Sequence, residues 1–147
     1  MKPIWEASEF VRRIQIRLRF GELSRSPLKL LRLEVSKMEL ECDWVMRPPD
    51  AWDKDLPSGL RDTNLSLQAL RDALQVRKML FAAFDEVRSA ELRVYRHTGS
   101  GEPELVMTGT VLREDEVPAR IESVAMRAQL SGFRFSLSDG VLLSKAS

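Results

Sequence analysis

The chain has 147 residues, 44% hydrophobic and 31% charged, with 23 Lys and Arg, 22 Asp and Glu, one Cys and one His. A chain of this size can bury one core without a disulfide or metal, and its apolar share argues against wholesale disorder. The formal charge of +1 argues against a broadly basic polyanion binder, the single thiol excludes an internal disulfide, and no apolar run approaches the ~20 residues of a membrane span.

In chain order, the first expected element is a strand over residues 13–20. Ile14, Ile16, Leu18 and Phe20 alternate with Arg13, Gln15, Arg17 and Arg19, the period-two signature of a half-buried ribbon. Leu31, Leu33 and Val35 alternate with Arg32 and Glu34 in a second strand. Met38, Leu40, Cys42, Trp44 and Met46 alternate with Glu39, Glu41, Asp43 and Val45 in a third. Ser36-Lys37 is short enough to join these two as a hairpin. Charge is segregated along this half. Residues 12–37 are mainly basic and residues 38–62 mainly acidic, so neighbouring strands can pair opposite charges across the sheet.

Pro48, Pro49 and Pro57 interrupt regular structure and define a loop that carries Trp52 among Asp50, Asp53 and Asp55. A long helix is expected from Leu60 to Val87. Its stripe of Ala69, Ala73, Val76, Leu80, Ala83 and Val87 recurs at helical spacing and would lie on a sheet. A strand follows with Leu92 and Val94 inward, then a Gly-containing hairpin loop. The next strand, residues 104–112, is apolar on both faces, as an internal strand would be. A second helix is expected over residues 114–132, with Glu114, Asp115 and Glu116 complementing its dipole, Pro118 near its start and Gly132 as its stop. Phe133, Phe135 and Leu137 alternate in a further strand. Asp139-Gly140 marks a turn into residues 141–143.

These elements imply a single α+β domain spanning 1–147: a mostly antiparallel sheet of five to seven strands with two helices packed on one face. Leaving out the first two strands gives the order β-α-β-β-α-β, so a ferredoxin-like arrangement with an N-terminal β extension is one option. A simpler antiparallel sheet is the other.

The chemistry-bearing residues are sparse. His97 is the only histidine, and Cys42 alternates with core residues, so no nucleophile and base are paired by the pattern. The Asp50–Asp55 loop lacks the spacing and glycine of a calcium loop, and zinc would need more His or Cys ligands than are present. No phosphate-binding Gly motif occurs. The expectation is therefore no catalytic residue, no metal and no cofactor. The favoured reading is a cytoplasmic, non-enzymatic domain, not membrane-bound, that binds a protein partner or self-associates as a dimer. The candidate partner-binding residues are Arg13, Arg17, Arg19, Trp52 and Asp53, since a Trp among acids can anchor an interface; the competing reading pairs the arginines with the acidic strand as a solvated sheet face and folds Trp52 back to plug the core. Two alternatives stand beside it: a small-molecule binder or enzyme with a pocket between sheet and helices, and a weak nucleic-acid binder through the Arg-rich first strand. The second is disfavoured, because no aromatic side chains interleave with those arginines.

Overall fold

The computed structural model describes residues 28–48, 56–98, 101–115 and 120–145. The expected strand 13–20 and the Trp52 loop lie outside these residues. The elements run β1 (Lys29–Ser36), β2 (Glu39–Val45), α1 (Ser58–Ala83), β3 (Ser89–Arg96), β4 (Glu104–Leu112), α2 (Val124–Leu130), β5 (Phe133–Arg134), β6 (Leu137–Ser138) and β7 (Val141–Leu142). The fold is α+β, as the element pattern implies.

Strands β1 to β5 form one sheet in sequence order, and β6 with β7 forms a small hairpin. All neighbours in the large sheet are antiparallel except β2 and β3, which are parallel and joined through α1. The two parallel strands lie side by side. The ferredoxin-like option needs a strand between them, so the sheet follows the simpler alternative, with one β-α-β crossover built in.

The pleat sorts side chains as the period-two pattern requires. Leu40, Cys42 and Trp44 of β2, Ala90, Leu92 and Val94 of β3, and Met107 and Val111 of β4 face the helices. They form one cluster with Ala69, Ala73, Val76 and Leu80 of α1 and Ala128 of α2. Fully burying a Leu or Val side chain contributes about 1.5–3 kcal/mol, so this layer is the main source of stability. A bulge explains the two-sided apolarity of β4. The register shifts between Val94 and Tyr95, leaving Val106 as an extra residue, and Val106 and Met107 are both fully buried.

Several boundaries differ from the sequence expectation. The first hairpin turns at Lys37-Met38, with Lys37 at φ 48, so Met38 is exposed instead of inward. Helix α1 stops at Ala83, short of Val87, because Phe84 leaves helical geometry to enter the core. Carbonyls at and just past its end find an outside partner. Arg113 donates to the carbonyls of Phe81, Phe84 and Val87 at 2.9, 2.6 and 2.7 Å, and its guanidinium lies 4.8 Å from the Phe81 ring centroid. A cation there adds to the Val87 N–H already donated to the Phe84 carbonyl and complements the helix dipole.

Helix α2 is shorter than expected. Ser123 caps it by accepting from the Met126 N–H at 3.1 Å. Its first turn holds no acidic residue, and Asp115 instead closes a turn after β4, donating its N–H to the Leu112 carbonyl. Helix dipole compensation therefore does not account for Glu114 and Asp115; the serine cap sets the start. Gly132 ends α2 at φ +107, and a Cβ there would sit 2.6 Å from the Thr110 carbonyl oxygen. Glycine is required both by conformation and by space. The strand expected over residues 133–137 is broken into β5 and β6, and Leu137 is exposed instead of inward.

Candidate functional site

Among the described residues, two regions carry chemistry. The first is the sheet face turned away from the helices. Register arranges its side chains in rows across the strands. Glu34, Glu41, Glu91 and Thr110 stand directly opposite one another on β1, β2, β3 and β4. The next row toward the carboxyl end of β2 is Arg32, Asp43, Arg93, Thr108 and Arg134. The row on the other side is Ser36, Glu39, Ser89 and Leu112.

Three carboxylates thus occupy adjacent cross-strand positions, an arrangement that destabilises a sheet. The arginine row compensates them from one side only. Arg32 reaches Glu34 at 2.8 Å and Glu41 at 3.1 Å. Arg93 reaches Asp43 at 3.2 Å, Glu91 at 3.4 Å and Glu41 at 3.7 Å. The hydrogen bond from Arg32 holds the Glu34 carboxyl below the ordinary carboxylate range. On the other side lies a groove of about 490 Å³. Glu34, Glu39, Glu41 and Glu91 line it, and no cation among the described residues does so.

The second region lies at the carboxyl ends of the parallel pair β2 and β3. A cavity of about 360 Å³ opens there, lined by Met46, Arg47, Pro48, Asp62, Leu65, Ser66, Arg96, His97 and Val141. Three of its polar groups, Arg47, Ser66 and Arg96, are held by second partners. Arg47 donates to both oxygens of Asp72, from Nε at 2.7 Å and Nη2 at 3.1 Å, and Gln68 also donates to Asp72. The Arg47 and Asp72 side chains are 1% and 2% exposed. Burial pushes the Asp72 carboxyl above its ordinary range, and the hydrogen bonds from Arg47 and Gln68 pull it back only in part. Arg96 is held by Glu104 and by the Leu142 carbonyl, and the Ser66 hydroxyl accepts from the Leu142 N–H at 2.9 Å.

The candidate partner-binding residues Arg13, Arg17, Arg19, Trp52 and Asp53 all lie outside the described residues. His97 is exposed at the cavity rim. Cys42 is fully buried in mid-strand, and burial, with the Asp43 carboxylate second, pushes its thiol up. Cys42 pairs in register with Leu92, five residues before His97, so roughly 16 Å of extended chain separates the two. They do not form a nucleophile–base pair. Among the described residues no group of three His, Cys, Asp or Glu side chains is placed to hold a metal, and no helix is long and apolar enough to cross a membrane.

Arg47, Ser66, Asp72 and Arg96 are the residues that pattern reading missed. Asp72 offered a signal, since it falls inside the apolar stripe between Ala69 and Val76. Its partner Arg47 is 25 residues away and offered none. Comparison with protein families, curated proteins and solved structures found no match for the chain.

Proposed function

We propose that the chain is a non-enzymatic binding domain that receives a cationic polypeptide segment on the sheet face turned away from the helices. The observation that carries this reading is the cross-strand row Glu34–Glu41–Glu91. Like charges placed side by side weaken a sheet, and such a cost is common where a surface serves binding rather than stability. The groove beside the row offers four carboxylates and the apolar edge of Leu112, which suits alternating basic and aliphatic side chains in an extended segment. A nucleic acid is disfavoured, because its phosphates would meet these carboxylates.

The partner is a basic segment of another protein or of a second copy. The chain's own residues 12–25 carry Arg12, Arg13, Arg17, Arg19 and Arg25, so self-association has a suitable charge source. The test is titration of the full chain with an alternating Arg-Val decapeptide at about 50 mM and about 500 mM salt, together with mass measurement at both concentrations. A dimer that dissociates at high salt assigns the partner to a second copy. A monomer that binds the peptide in a salt-sensitive way, and loses this in Glu91→Lys, assigns it to another protein. A monomer that binds no peptide defeats the proposal.

A further inference from the structure

We infer that the cavity at the carboxyl ends of β2 and β3 is a binding site for a small organic carboxylate with an apolar body. This site is independent of the sheet face turned away from the helices, since the helix-side residue Met46, α1 and β7 supply its walls.

Four observations lead to it. The first is position. Strands β2 and β3 are the one parallel pair among the described strands, and α1 connects them. The crevice outside the carboxyl ends of parallel strands is where α/β units place ligands, because loops diverge there and leave space above the sheet. The second is size and lining. At about 360 Å³ the cavity falls within the roughly 300–1,000 Å³ of small-molecule sites. Met46, Leu65 and Val141 give it an apolar floor for a hydrocarbon body.

The third is a donor with spare capacity. Arg96 spends Nε and Nη2 on Glu104 and Nη1 on the Leu142 carbonyl. A guanidinium has five N–H donors. One on Nη1 and one on Nη2 therefore have no acceptor among the described residues. Arg96 is fixed in place by these bonds, and a guanidinium can bridge two carboxylates. His97 also lines the cavity, and so does the Asp62 carboxylate, which disfavours an anion on its own side, so the ligand's carboxylate is assigned to Arg96.

The fourth is the support behind the wall. A buried Arg47–Asp72 pair is costly compared with apolar residues of the same volume. Here it backs a cavity, with Gln68 fixing the carboxylate from the same helix. Ser66 and Arg96 both grip Leu142, the neighbour of Val141, so the β7 wall and the donor are locked together. A lining held by second partners is what a preformed site needs.

The test uses phenylacetate and its neutral isostere phenylacetamide, titrated into the full chain and followed by NMR at the Met46 methyl, the His97 ring and the Arg96 Nε–H. Phenylacetate should shift all three signals and bind about ten-fold tighter than the amide. Arg96→Gln should bring the two probes to equal affinity. Val141→Phe, which fills the cavity and leaves Arg96 in place, should abolish binding of both. Equal affinity of the two probes for the unmodified chain, unchanged discrimination in Arg96→Gln, binding that survives Val141→Phe, or no shift at these signals up to about 10 mM phenylacetate would each overturn the assignment.

Discussion

At the scale of single residues, the most consequential group is Asp72. Its carboxylate offsets Arg47 where the two side chains are 1% and 2% exposed. Replacing it with Leu leaves the guanidinium buried without that carboxylate, and should cost about 3–5 kcal/mol by urea denaturation. The double variant Asp72→Leu/Arg47→Met should recover most of the loss, because two apolar side chains need no compensation. The carboxyl is raised above its ordinary 3.8 by burial, so the folded chain holds this proton to higher pH than the unfolded chain. Between the two pKa values the folded state binds more protons, and this group's contribution to stability falls as pH rises through that window. An NMR titration should place the Asp72 midpoint above 3.8. A midpoint at or below 3.8 would contradict the burial argument. Sequence reading could flag an acid inside an apolar stripe but could not supply Arg47, because only the folded loop after β2 brings the two together.

At the scale of elements, the end of α1 shows what local pattern can and cannot give. The stripe from Ala69 to Leu80 announced the helix and its buried face, and both are as expected. The stop was not legible, because neither glycine nor proline marks it and no basic residue lies in the last turn. The missing cation comes from Arg113, at the far end of β4, which binds three carbonyls there. Arg113→Met keeps much of the packing on Phe81 and removes the hydrogen bonds. It should destabilise the fold by about 2–3 kcal/mol, with hydrogen-exchange protection falling first in the last turn of α1. Uniform loss of protection across α1 would mean that Arg113 acts through general packing instead. Helix α2 gives the reverse case. Glu114 and Asp115 looked like a helix start, yet Ser123 supplies a better acceptor ten residues past Arg113 and so sets the boundary.

For the whole molecule, alternation was enough to sort the two faces of β2 and β3, and with them the α+β layering. Strand order was not available, because nothing in the alternation says that β3 lies beside β2 in parallel. That adjacency creates both regions described above. It aligns Glu41 with Glu91 to complete the carboxylate row, and it opens the crevice above Met46 and Arg96. Segregated charge along the chain had suggested opposite-sign pairing across strands. The described sheet pairs that way in the row of Arg32, Asp43 and Arg93 but sets like against like one row away.

The central claim is that this like-charge row serves binding at some expense to the sheet. Urea denaturation of Glu41→Gln tests it most directly, since Glu41 lies between Glu34 and Glu91 and touches both Arg32 and Arg93. The variant should unfold at the same or a higher urea concentration than the unmodified chain, with an unchanged denaturant slope. A clearly lower midpoint would mean that Glu41 is a structural partner of the two arginines, and the row would then need no ligand to explain it.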